Sequence, residues 1–192
     1  MRLAVSGSHG TGKSTLIAAL LDSRPDYQHE PEAYEALADE IPLASSEGPS
    51  LEGLESLIEH TVAVVASHGT GSRVVFERSP VDYLAYATAS HDAWTRASAA
   101  GFVEAHLPRV RESLRHLDVI AYLPLSPDGP VAARAGEDEA FRSRVDEMLR
   151  RALIDDEYEL FAGTSPEVLE LSPLPQLQMA ELLGRIGAED PG

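Results

Sequence analysis

Short apolar runs alternate along the chain with stretches of helical periodicity. Residues 2–6 form a compact strand-like run. The segment that follows at 13–21 sets Leu16, Ile17, Leu20 and Leu21 on one helical face. A short strand is expected at 27–30 and a helix at 32–40. Residues 42–50, rich in Pro, Ser and Gly, read as a loop. Residues 51–67 place Leu54, Leu57, Ile58, Thr61, Val62 and Val65 at helical spacing, and 73–77 is an apolar strand closed by an acid. The span 92–115 predicts helix, interrupted at Gly101 and Pro108. Residues 117–123 predict a buried strand, 124–136 a Pro/Gly/Ala-rich loop, and 137–161 a long helix striped by Phe141, Val145, Met148, Leu149, Ala152 and Leu153. The acids opening that helix suit its positive end. A strand at 168–171 and a helix at 174–186 complete the pattern.

Strands alternating with helices imply an α/β chain of three layers: a mostly parallel sheet of about five strands with helices on both faces. Ligands bind beyond the carboxyl ends of the strands in such sheets. One domain over 1–187 is expected, with a frayed tail at 188–192 and no internal repeat.

Composition narrows this picture. The 192 residues are 43% hydrophobic and 24% charged, ordinary for a folded domain, and contain no cysteine. Disulfides and thiolate metal sites are therefore excluded. No apolar run approaches the roughly 20 residues of a membrane span and no leader precedes the first strand, so a cytoplasmic protein without a membrane partner is expected. The net charge of −17 opposes nucleic-acid binding. Of the fifteen basic residues only Lys13 is a lysine. A compact ammonium fits between two phosphates where a planar guanidinium does not.

That lysine stands in Gly7-Ser-His-Gly-Thr-Gly-Lys-Ser14, a full GxxxxGK[ST] match between a strand and a helix, the context that the P-loop requires. Gly7, Gly10 and Gly12 let the backbone curl so that the N–H groups of the loop, through His9 and Thr11, face phosphate oxygens. The helix beginning at Lys13 adds its positive end. Lys13 is expected between the β- and γ-phosphates, Ser14 on Mg²⁺, and Thr15 near the α-phosphate. The ligand is expected to be MgATP, in a P-loop NTPase fold.

The class of P-loop protein follows partly by exclusion. A guanine-reading Asn-Lys-x-Asp segment is impossible without a second lysine. A ring-forming motor requires a strand ending in paired acids, whereas Asp118 begins its strand. A compact phosphotransferase is left, and it needs a carboxylate for the acceptor hydroxyl, positive groups around the phosphoryl and exclusion of water. Glu30-Pro31-Glu32, Glu77-Arg78-Ser79 with Asp82, and Arg134, Arg142 and Arg144 of an Arg-bearing lid at 124–144 are candidates for these parts. Asp82 suits either Mg²⁺ or a helix cap. Tyr83, Tyr86 and Trp94 suit either an acceptor pocket or the core.

Glu-Pro-Glu after the P-loop, Glu-Arg-Ser at a strand end and an Arg-bearing lid together resemble the deoxynucleoside kinase family. The run from Asp128 to Arg134 before a long helix is similar to small bacterial ATPases related to the ribosylnicotinamide kinase domain, although two extra residues make Arg142 a competitor for Arg134. The resemblance implies that Glu30 is the general base, that Arg78 holds Glu30 and the acceptor oxygen, and that Glu77 contacts a sugar hydroxyl or Mg²⁺. The expected function is transfer of the γ-phosphoryl of ATP to a hydroxyl of a small nucleoside-like molecule lying between residues 30–58 and 77–96. The alternatives are a regulatory ATPase module and a nucleoside monophosphate kinase, the latter disfavoured because residues 30–60 hold no arginine. The helices at 51–67 and 92–115 could supply a homodimer interface.

Overall fold

The computed structural model describes residues 1–37, 50–90, 96–126, 139–161 and 166–187. A five-stranded sheet is built from β1 (Arg2–Ser6), β2 (Gln28–Glu30), β3 (Val74–Glu77), β4 (Val119–Tyr122) and β5 (Glu167–Glu170), in the order β2-β3-β1-β4-β5. Every pairing is parallel, so the sheet is wholly rather than mostly parallel. The period-two alternation of β1 divides the core: Leu3 and Val5 face one side, Ala4 the other.

On the Leu3–Val5 face lie α1 (Lys13–Ser23) and α7 (Pro175–Gly187), packed through Leu16, Ile17, Leu20, Leu182 and Ile186. On the Ala4 face lie α3 (Leu51–Ser67), α4 (Pro80–Ala89), α5 (Arg96–Leu114) and α6 (Glu139–Leu153), packed through such residues as Leu57, Leu84, Val110 and Leu149. A short α2 (Ala33–Ala36) follows β2. The parallel strands therefore deliver all their carboxyl ends, and the turns that follow them, to one edge.

Two local expectations need correction, and one helix goes unannounced in the sequence pattern. The helix α4 has no amphipathic stripe to announce it, because Val81, Asp82, Tyr83, Leu84, Ala85, Ala87 and Ala89 are all buried. The helix α5 runs unbroken through Gly101 and Pro108. Both residues are exposed, and the buried stripe of Val103, His106, Val110 and Leu114 holds the helix across them. The helix α6 ends at Leu153, ahead of left-handed turns at Asp156 (φ 48°) and Glu159 (φ 50°). The expected loop at 42–49, the lid residues 127–138 with Arg134, Trp94, and the tail at 188–192 lie outside the described residues. No helix among the described residues is long and apolar enough to cross a membrane.

A Cβ at Gly101 would meet nothing within 4 Å. Gly101→Ala is therefore expected to stabilise the fold by about 0.5–1 kcal/mol, by lowering the freedom of the unfolded chain. An increased midpoint in urea with an unchanged m-value would register it.

Candidate functional site

Beyond Ser6 the chain curls through Gly7–Gly12 into α1. Gly10 (φ 73°) and Gly12 (φ 97°) take left-handed conformations that suit glycine. A Cβ on Gly7 would stand 2.8 Å from the Leu123 carbonyl oxygen. The Lys13 ammonium is buried and donates to the carbonyls of Gly7 (3.1 Å) and Ser8 (2.8 Å). Burial first, and then the positive charge of Arg78, push its pKa down to about 7. The Thr11 hydroxyl donates to the Ser8 carbonyl at 3.1 Å. Ser14 and Thr15 are exposed on the first turn of α1.

The Ser14 hydroxyl donates to Glu77 Oε1 at 2.7 Å, and His29 Nε2 stands 3.8 Å from the other oxygen of that carboxylate. A hydroxyl beside one carboxylate fits Mg²⁺, which completes its shell with water and phosphate oxygens instead of a protein cage. Among the described residues there is no cluster of three or more His, Cys, Asp or Glu to form such a cage. Asp82 is occupied otherwise. It is fully buried and accepts from Gly7 N–H (3.2 Å), from Arg78 Nη1 (3.2 Å), and from both the N–H and the hydroxyl of Ser79 (3.0 Å each). It caps α4 and braces the phosphate loop.

Arg78 joins these parts. It is buried, and its φ of 78° is a left-handed conformation unusual for a side-chain-bearing residue, typically costing about 1–3 kcal/mol. Its Nε donates to Glu32 Oε1 (2.6 Å), Nη1 to the Gly7 carbonyl (2.9 Å) and to Asp82, and Nη2 to the Tyr86 hydroxyl (3.1 Å). The expectation that Arg78 holds Glu30 is not met, since its carboxylate partners are Glu32 and Asp82. Glu30 Oε1 instead lies 3.0 Å from Nε2 of His68, at the end of α3. The register explains the difference. Glu30 pairs with Phe76, whose ring meets His68 edge-on, so the Glu30 side chain turns toward that helix end. Two residues later Glu32 has cleared the strand and reaches Arg78.

The expected arginine set divides. Arg142, from α6, donates from Nε to the His9 carbonyl at 3.0 Å. Its Nη2 lies 2.9 Å from where a Cβ on Gly10 would stand, so the glycine makes room for the guanidinium. Arg144 turns away and donates to the Ala89 carbonyl at 3.1 Å. With Arg96 it lines a separate cleft of about 620 Å³ between α4, α5 and α6. Tyr83 is core, and Tyr86 lies against Arg78.

Beside the phosphate loop opens a second cavity, of about 290 Å³, floored by Phe76 and Val64 and walled by Pro31, Ala33 and Ala36. Glu30, His60, Thr61, Glu77 and Arg78 supply its polar groups. It occupies the expected side of the sheet, but α3 contributes His60, Thr61 and Val64, one turn beyond the expected wall. Thr61 falls in the apolar stripe of α3, so its spacing reads as core.

Replacing Asp82 by Asn would leave the buried Arg78 cation short of a charged partner and the Gly7 N–H with a weaker acceptor. Removing one member of a buried ion pair costs about 3–5 kcal/mol, and a loss of stability of that order is expected. Equilibrium unfolding in guanidinium measures it.

The fold has relatives. The chain is similar to the deoxyadenosine kinase of M. mycoides with bound dATP, at 12% identity and a TM-score of 0.63, covering 97% of this chain and 99% of that one. It is similar also to the same enzyme's structure with the products dCMP and a flexible dCDP, at 12% identity and a TM-score of 0.68, covering 98% and 100%. No curated protein sequence matches. A family model described as an AAA domain matches residues 2–165. Neither strand beside β1 ends in a motor-type acid pair: β3 closes on the single acid Glu77, and β4 finishes at Tyr122, with Asp118 before its start paired to Arg2. With a phosphate loop on a wholly parallel sheet and a family match over most of its length, the chain belongs to the AAA domain family of P-loop proteins.

Proposed function

We propose that this protein is a kinase that transfers the γ-phosphoryl of MgATP to a hydroxyl of a small, uncharged, nucleoside-like acceptor. One observation carries the reading: a complete phosphate loop and a cavity of about 290 Å³ share one sheet edge, and the Arg78 guanidinium borders both. A nucleotide-hydrolysing switch needs no such cavity. The similarity to deoxyadenosine kinase supports the same reading at the level of fold.

The donor half would consist of Gly7–Ser14 with Thr15, which receive the triphosphate on backbone N–H groups, and Lys13, which leaves the carbonyls of Gly7 and Ser8 for phosphate oxygens. Ser14 and Glu77 would hold Mg²⁺, which when bound neutralises charge on the β- and γ-oxygens. Arg142, already on the His9 carbonyl, supplies a cation at the loop's outer side; Arg134 is a further candidate from sequence. The acceptor enters the second cavity with its hydroxyl toward Arg78, and a carboxylate of the Glu30-Pro31-Glu32 turn takes its proton.

The electrostatics favour an uncharged acceptor over a nucleoside monophosphate. Among the described lining residues the carboxylates Glu30 and Glu77 face a single arginine. Every donor-bearing nitrogen of that arginine is engaged with Glu32, Gly7, Asp82 or Tyr86. A phosphate brought there would meet more negative charge than positive.

Incubation with radiolabelled γ-phosphoryl ATP and a panel of nucleosides, nucleoside monophosphates and small alcohols should label a nucleoside. ATP hydrolysis with no labelled acceptor in the panel would point to the switch instead. A second outcome concerns pH. Burial and the Arg78 charge hold the Lys13 pKa down at about 7, and the side chain must carry its proton to meet a polyphosphate. The bound state therefore holds more protons above pH 7, and binding takes up a proton there. The ATP dissociation constant should increase by about tenfold per pH unit between about 7.5 and 9, the limit for one coupled proton. Calorimetry in buffers of different ionisation enthalpy would show the uptake directly, and a flat profile would contradict it.

A further inference from the structure

The kinase reading puts Arg142 at the outer side of the phosphate loop and leaves open what holds it there. The helix α6 lies on α4 and the core through Val145, Leu149, Ala152 and Leu153. Apolar contact is non-directional, so it fixes how deeply a helix sinks and only loosely where it stands along its axis. Directional bonds must set that position. The Nε of Arg142 on the His9 carbonyl is one of them, but it is the bond that a phosphate would exchange. Arg144 reaches only the end of α4, at Ala89, and ties α6 to another helix rather than to the loop. A reference that survives the exchange has to lie elsewhere on α6.

Asp146 supplies it. It follows Arg142 by four residues, on the same face of α6 and one turn, about 5.4 Å, along it. Its Oδ1 accepts from the Tyr122 hydroxyl at 3.0 Å and from the Leu125 N–H at 2.9 Å. The same hydroxyl lies 3.3 Å from the Asp146 carbonyl oxygen. Both donors belong to the end of β4 and the segment after it. The phosphate loop is built against that stretch of backbone. Tyr122 pairs with Ser6, and the Leu123 N–H donates to the Ser6 carbonyl at 2.8 Å. The Leu123 carbonyl oxygen also lies so close to Gly7 that a Cβ there would stand 2.8 Å away. Asp146 therefore measures α6 against the strand end on which the loop rests, and Arg142 arrives at His9 and Gly10 by that measure.

Resting on the donor half of the kinase reading, we infer that Asp146 is a positioning residue for that site: through Tyr122 and Leu125 it sets the register of α6 and so holds Arg142 where it meets the triphosphate. It touches no substrate itself. The role calls for an acceptor oxygen rather than a charge, because both donors converge on Oδ1, and an asparagine amide offers the same oxygen. Placement matters at such a site. A shift of about 1 Å, caused by a change far from the chemistry, can lower a rate by about 10²-fold.

The test is a double-mutant cycle between Asp146→Ala and Arg142→Ala, with Asp146→Asn and Tyr122→Phe beside it. The MgATP dissociation constant, the rate of transfer to a nucleoside and the melting temperature are measured on each protein. Asp146→Ala should lower kcat by about 10- to 100-fold and weaken MgATP binding several-fold. Asp146→Asn should stay within a few-fold of wild type in both. In an Arg142→Ala background Asp146→Ala should add little, because the arginine that it places is already gone. Tyr122→Phe removes one of the two donors and should show a weaker form of the same pattern; it replaces Asp146→Ala in the cycle if that variant does not fold. The inference is overturned if these variants keep wild-type affinity and rate, or if their effects add in full to those of Arg142→Ala. The affinity cycle needs no acceptor. A wild type that labels no acceptor while the cycle still shows coupling would overturn the kinase reading alone. A labelled nucleoside with purely additive effects sinks the inference alone.

Discussion

The buried guanidinium of Arg78 is the constraint on which the site depends. A cation taken out of water is tolerable only if its hydrogen-bonding positions are filled and its charge is balanced. Here Glu32 and Asp82 supply charge, and the Gly7 carbonyl and Tyr86 hydroxyl supply the remaining acceptors. These four partners come from the turn after β2, from α4 and from the phosphate loop. Satisfying one side chain therefore fixes the relative position of three segments. The left-handed backbone at Arg78 fits this account, since strain persists only where surrounding contacts over-determine it.

Seen from Arg78, the division between what the sequence reveals and what it conceals has a physical basis. The phosphate loop is legible because its chemistry is local: eight consecutive residues, with a strand before and a helix after, carry the whole signal. The helix α3 is legible because one of its faces is wet. The helix α4 is not, because burial all round erases the periodicity that would mark it. Gly101 and Pro108 mislead for the opposite reason. They are breakers by intrinsic preference, yet tertiary packing of Val103, His106 and Val110 outweighs that preference.

The carboxylates of Glu30-Pro31-Glu32 mark the limit more sharply. Spacing alone puts both acids after a strand, and nothing local says which one meets the arginine. That is decided by the register of β2 on β3 and by where α3 ends, both contacts between segments distant in sequence. The lid arginines follow the same logic. Arg142 and Arg144 are two residues apart on a helix, so they face different directions, and only Arg142 reaches the loop. Their shared neighbourhood in sequence is not a shared neighbourhood in space.

The net charge of −17 and a site for a polyanion coexist because the relevant field is local. Lys13, Arg78 and Arg142 all bond to phosphate-loop carbonyls, those of Gly7, Ser8 and His9. Lys13 thus spends its positive charge on two carbonyl dipoles, weak partners compared with a phosphate, whereas Arg78 is also paired with the carboxylates of Glu32 and Asp82. The loop resembles a closed set of provisional bonds, ready to be exchanged for stronger ones. Gly7 occupies the centre of that exchange. Its N–H is held by Asp82, and its carbonyl receives both Lys13 and Arg78. A triphosphate that drew Lys13 away would leave the Gly7 carbonyl to Arg78 alone and so strengthen its bond to the guanidinium that carries Glu32. On the proposed kinase reading, filling the donor half of the site would therefore firm Glu32 through one backbone residue, with no large movement required.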